Sequence, residues 1–151
     1  MMTHKQLVAA LTGLAATAAT AAIPPRYAEH LPEPRKAGPV TYITGGQEIL
    51  EANAIKRASQ EYPLELVFVE KVGRREKPLA DMPVRITDDQ GKVVFEGQSE
   101  GPYFIARLPK GKYTVSTRWD AWSFSREVKI GGQRQRVVFA WSEPGPMESL
   151  G

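Results

Sequence analysis

Residues 79–119 read LADMPVRITDDQGKVVFEGQSEGPYFIARLPKGKYTVSTRW, and their alternation decides the fold. In MPVRIT (82–87), Val84 and Ile86 point one way and Arg85 the other, the period of a half-buried strand. Asp88-Asp89-Gln90-Gly91 breaks the run, with Gly91 suited to positive φ. KVVFEG (92–97) resumes it, and Ser99-Glu100-Gly101-Pro102 turns the chain into YFIARL (103–108). Pro109-Lys110-Gly111 then leads into KYTVSTRW (112–119), where Tyr113, Val115, Thr117 and Trp119 share a face.

The same rhythm extends outward. LELVFVE (64–70) precedes the stretch, separated by the polar loop KVGRREKP (71–78). WSFSREVKI (122–130) follows, with Trp122, Phe124, Val128 and Ile130 apolar and Arg126 interrupting. Gly131-Gly132 turns into QRVVFAW (135–141). Seven short strands at regular spacing, each bounded by a turn signal, predict a mainly β fold. The expectation is a seven-stranded antiparallel Ig/transthyretin-like sandwich over 64–141, preceded by one α-helix. That helix falls within QEILEANAIKRASQEY, after the short β-prone run PVTYI, in a segment spanning 39–63. Thr44 and Gln47 fit a capping box, Leu50, Ala54, Ile55, Ala58 and Tyr62 form the apolar stripe, and Pro63 ends it.

Two features resemble the carboxypeptidase regulatory-like domain, a transthyretin-like sandwich: the V-x-I-x-D-x-x-G-K-V-V hairpin at Val84–Val94 and the L-P-x-G-x-Y-T-V hairpin at Leu108–Val115. The turn usual in that family as D-x-x-G-x-F is here Ser99-Glu100-Gly101-Pro102-Tyr103-Phe104, a departure in detail. Thr44-Gly45-Gly46 and the helix after it are similar to small exported proteobacterial proteins of that group. The resemblance implies a folding or interaction module and no peptidase activity, because such domains accompany catalytic domains rather than contain them.

The N-terminus fixes the expected compartment. A short basic start (His4, Lys5) runs into LVAALTGLAATAATAA, and Ala19 and Ala21 give an A-x-A cleavage pattern. Residues 1–22 therefore read as a signal peptide, too weakly apolar for a stable membrane span once the chain is exported. Location is expected to be periplasmic or secreted. IPPRYAEHLPEPRKAG (23–38) holds four prolines and reads as an extended arm, and SEPGPMESLG (142–151) as a flexible tail.

Chemistry is bounded by what the chain contains. With no cysteine there are no disulfides, zinc–thiolate sites or cysteine nucleophiles. A net charge of +3, with the basic residues spread out, argues against nucleic acid as partner. His30, in the arm, is the one histidine beyond the leader, which opposes a Ser-His-Asp relay or a histidine-rich zinc site. Asp88, Asp89 and Glu100 are weak calcium candidates, and the Gly45-Gly46 amides a weak anion candidate. The expectation is no catalytic residue, no metal and no cofactor.

The aromatics stand out. Trp119, Trp122 and Trp141, with Tyr103, serve as core packing, as a partner-protein surface or as a platform for sugar rings. Arg107, Arg118, Arg126, Arg134 and Arg136 form either a solvated sheet surface or a basic face. The candidate binding set is Tyr103, Arg118, Trp119 and Trp122. The expected function is a non-catalytic exported binding module whose partner the sequence does not identify, an envelope protein or a polysaccharide being the candidates, and the alternative is a carbohydrate-binding module that uses surface aromatics.

Overall fold

The computed structural model describes residues 29–142 and the backbone of 145–146. The expected leader, the first part of the arm and most of the tail lie outside the described residues.

The described chain is mainly β, in two sheets with one helix. In chain order the elements are β1 (Arg35–Ala37), β2 (Val40–Gly45), α1 (Ile49–Ala58), a 3-10 turn (Ser59–Glu61), β3 (Leu64–Val72), β4 (Arg75–Pro78), β5 (Met82–Asp88), β6 (Val93–Ser99), β7 (Tyr103–Arg107), β8 (Gly111–Trp119), β9 (Trp122–Ile130), β10 (Gln135–Ser142) and β11 (Gly145–Pro146). The larger sheet runs β1-β2-β7-β3-β10-β11, with β4 also on β3; the smaller runs β6-β5-β8-β9.

All seven expected strands form, as β3 and β5 to β10, but the count of seven is too low. β4 arises inside the stretch read as a loop: Gly73 takes φ +61, and Arg75–Pro78 fold back on Val69–Val72. Its exposed polar residues gave no alternation to find. β1 lies in the proline-rich arm and pairs with Val40–Tyr42, and β11 lies in the expected tail, against Trp141–Ser142. Nor is the pairing wholly antiparallel: β3 and β10 run parallel from Leu64↔Gln135 to Glu70↔Trp141.

Alternation puts Leu64, Leu66 and Phe68 of β3, Phe104 of β7 and Val137, Phe139 and Trp141 of β10 against Val84, Ile86, Phe95, Val115, Val128 and Ile130 of the smaller sheet. Aromatic contacts brace this interlayer on two sides. Phe139 meets Phe68 and Phe124 at 5.4 Å, while Phe104 meets Phe95 at 5.2 Å and Tyr42 at 5.3 Å. Each such pair is worth about 0.5–1.5 kcal/mol beyond burial.

The helix makes a third layer. Ile55, Ala58 and Tyr62 pack on Ile43 and Ile105 from the outer face of the larger sheet. Leu50 is not part of that stripe and is 55% exposed. Five residues at about 100° each place it about 140° around the helix from Ile55. The expected capping box is also absent. Glu48 is the N-cap, without a side-chain bond. Instead, Glu51 reaches back to accept the Gly46 N–H at 2.7 Å.

Thr44 is committed elsewhere, because β2 carries it under the β6–β7 connection. Its Oγ1 accepts the Glu100 N–H at 2.9 Å, donates to Tyr103 O at 3.0 Å and lies 3.1 Å from Ser99 Oγ. Ser99 Oγ donates to Gly101 O at 2.7 Å, and Gln47 Nε2 donates to Glu100 O at 2.7 Å. A Cβ on Gly101 would come within 2.4 Å of Gly45 O, so this knot closes only around glycine.

The segment Leu108–Val115 is not a hairpin. β7 and β8 lie in different sheets, so Pro109–Gly111 carries the chain across the core. Tyr113 anchors that crossing by donating its hydroxyl to Pro109 O at 2.6 Å, the device of a tyrosine corner.

Candidate functional site

The candidate binding set does not assemble. Tyr103 is on the larger sheet, half-buried beside α1, with Lys56 Nζ 5.6 Å from its ring centroid. Arg118, Trp119 and Trp122 are together on the β8–β9 hairpin of the smaller sheet. Trp119 turns inward and meets Trp141 edge-on at 6.0 Å, and Trp141 is only 1% exposed. Trp122 alone of the three stays largely open, at 46%.

The arginines are dispersed too. Arg107 lies over the Tyr62 ring at 4.4 Å. Arg134 and Arg136 flank the buried Glu65 carboxylate at 2.9 and 3.5 Å, holding a charge that burial alone would penalise. Arg126 falls on the inward face of β9, opposite Val115. No basic face results. Asp88 is used structurally, its Oδ1 accepting the Gln90 and Lys92 N–H groups at 2.9 Å. Among the described residues no group of His, Asp and Glu is placed to hold a metal. The Gly46 amide already serves Glu51. His30 is exposed.

What the structure does build is a groove of about 530 Å³ in the smaller sheet, lined by Pro83, Arg85, Glu96, Ser116, Thr117, Arg118 and Ser123 among others. Its origin is a split between two strands. The β5–β8 ladder begins at Asp88↔Tyr113 and stops at Arg85↔Ser116, whereas β5 stays paired to β6 as far as Met82 and β8 to β9 as far as Trp119. Two residues past the last pair, Pro83 would face Arg118. Proline has no N–H, so it cannot carry a ladder in a central strand.

The groove's charges divide unevenly. Arg85 Nε donates to Glu96 Oε2 at 2.9 Å, which satisfies both. Arg118 is exposed and has no ion pair or side-chain hydrogen bond among the described residues. Thr117, 4% exposed, carries an Oγ1 with no partner, and among the described residues Trp141 Nε1 is the other such buried side-chain atom. Ser116 Oγ lies 3.0 Å from Ser125 Oγ.

Sequence reasoning found Arg118 but not its setting. The available signal was Pro83, a proline inside a strand that the alternation of Val84 and Ile86 makes central. No family model, curated protein or solved structure matches the chain. Among the described residues, no helix is long and apolar enough to cross a membrane.

Proposed function

We propose that the chain is a non-catalytic binding module of the carboxypeptidase regulatory-like type, working in the periplasm or as a secreted protein. The family reading is supported by the Val84–Val94 hairpin, by the Leu108–Val115 sequence pattern, which crosses between the sheets rather than forming a hairpin, and by seven strands, β3 and β5 to β10, that divide between two packed sheets. The location rests on the Ala-rich leader.

One observation carries the binding reading: the β5–β8 ladder is split at Pro83, and the split displays an uncommitted arginine. A sheet with paired flanks loses little conformational entropy when a partner docks, which favours recognition. The expected partner is an envelope protein. A polysaccharide is the weaker candidate, because Trp119 is turned into the core and a platform of two open rings is missing.

The test is affinity capture from envelope extracts with the processed chain, followed by mass spectrometry, alongside affinity electrophoresis on polysaccharides. A saturable protein partner and unretarded migration are expected. Retardation that disappears in Trp122→Ala would establish the carbohydrate reading instead. Turnover of a substrate that a point substitution abolishes would overturn both.

A further inference from the structure

We propose that the groove between β5 and β8 receives the C-terminal carboxylate of an extended peptide, with Arg118 as its anchor. This rests on the binding-module reading and names the ligand class for that site.

The backbone argument comes first. In an antiparallel ladder, residues alternate between pairs that exchange both hydrogen bonds and pairs that exchange none. Trp119 and Trp122 close a two-residue turn whose first residue, Asp120, has φ +56. The closing pair of such a hairpin is a bonded one. Arg118 is one step away, so its N–H and C=O point from β9 toward β5. Ser116, two residues earlier, has the same orientation and finds Arg85 there. Arg118 finds the split, with Pro83 beyond it. One backbone donor and one acceptor are therefore presented to the groove at ladder positions, which is what an incoming extended chain pairs with.

The side chains choose the end of that chain. Arg85 and Glu96 cancel, leaving the Arg118 guanidinium as the groove's uncompensated charge. A carboxylate matches its planar fork in two hydrogen bonds. Ser123, paired with Arg118 across β8–β9, and Ser116 add hydroxyls on the same lining. A phosphate dianion would face a single free cation. A sugar would lack stacked rings, Trp122 being the only one of the three tryptophans that is open. A terminal carboxylate followed by a main chain uses the arginine and the ladder positions together.

The experiment is titration of the 15N-labelled protein, read in amide and Arg Nε signals, with acetyl-Ala-Ala-Ala as the free acid. Its C-terminal carboxamide and sodium acetate are run in parallel. The free acid is expected to shift the Thr117 and Arg118 signals. The carboxamide, acetate, and the free acid on Arg118→Gln should each bind at least about tenfold more weakly, the loss of a charge-assisted contact. Pro83→Ala, which returns an N–H to β5 opposite Arg118, should let the ladder close and weaken the free acid as well. Equal binding of acid and carboxamide, acetate as tight as the peptide, an unaffected Arg118→Gln, or no shift at all would each overturn the assignment. Arg118 is exposed, so the substituted protein keeps its fold and its spectrum reports that directly. If envelope capture recovers the same partner with wild type and Arg118→Gln, the binding-module reading stands and the groove assignment falls.

Discussion

Thr44→Val separates burial from hydrogen bonding as the source of stability at the β2–β6–β7 junction. Thr44 is 3% exposed, and valine has nearly its shape. If burial alone mattered, exchanging a hydroxyl for a methyl would add roughly 0.8 kcal/mol. The structure says otherwise. Thr44 Oγ1 is the partner of the Glu100 N–H at 2.9 Å, and it donates to Tyr103 O at 3.0 Å. Ser99 gives its one O–H to Gly101 O at 2.7 Å and lies farther, 3.3 Å, from Tyr103 O, so the substitution orphans the Glu100 amide, about 1–3 kcal/mol, and weakens the bonding of Tyr103 O. The net expectation is destabilisation by about 1–2 kcal/mol. Urea denaturation should show a lower midpoint with an unchanged slope. Amide exchange at Glu100 should accelerate in Thr44→Val and stay near wild type in Thr44→Ser, which keeps the hydroxyl. A Thr44→Val protein as stable as wild type, or more so, would refute the reasoning.

Three further outcomes follow from the same geometry. Gly101→Ala should lose about 1–3 kcal/mol or more in urea melts, because its Cβ meets the Gly45 carbonyl rather than a movable side chain. Tyr113→Phe should lose about 1 kcal/mol at neutral pH with the bond to Pro109 O. Burial, then Asp88 and Asp89, raise the Tyr113 pKa above its ordinary value of 10.0. Its contribution is therefore whole below about pH 10 and is lost as pH climbs through the folded value, a decline that Tyr113→Phe should lack. The Arg35–Glu100 pair is half-exposed, so Arg35→Gln should cost under about 1 kcal/mol at low salt and nothing measurable near 1 M salt. Its hydrogen bond to Arg35 lowers the Glu100 pKa, so that contribution is present above pH 4.5 and vanishes as pH falls through the folded value.

The strands with a buried face were legible because side-chain alternation is a property of the backbone. Val84 and Ile86, or Tyr113 and Val115, point inward whatever lies opposite them. β4 and β1 were not legible, since their side chains face solvent and only pairing defines them. Sheet assignment was hidden as well. Leu108–Val115 looks like a hairpin from its turn residues, and nothing local in Pro109-Lys110-Gly111 announces a crossing of the core. At the site, Arg118 and Trp122 were identifiable by type. The inward turn of Trp119 and the burial of Trp141 were not, because an aromatic on an alternating strand fits either face until the partner sheet is in place. The groove depends on where a ladder stops, a relation between β5 and β8 that Pro83 hints at and pairing decides.

The parallel union of β3 and β10 has a consequence for how the molecule comes into being. One edge of β3 takes β4 and β7, both made by Arg107, but the other edge, from Leu64 to Glu70, waits for Gln135–Trp141, so nearly the whole span between them must be made before that edge is covered. A chain that emerges N-terminus first therefore holds Leu66 and Phe68 half-sheltered until β10 is delivered. Closure is then one late event rather than a gradual accretion. A stop codon a few residues before Gln135 would spare every other strand up to β9 and still leave the body unable to shut.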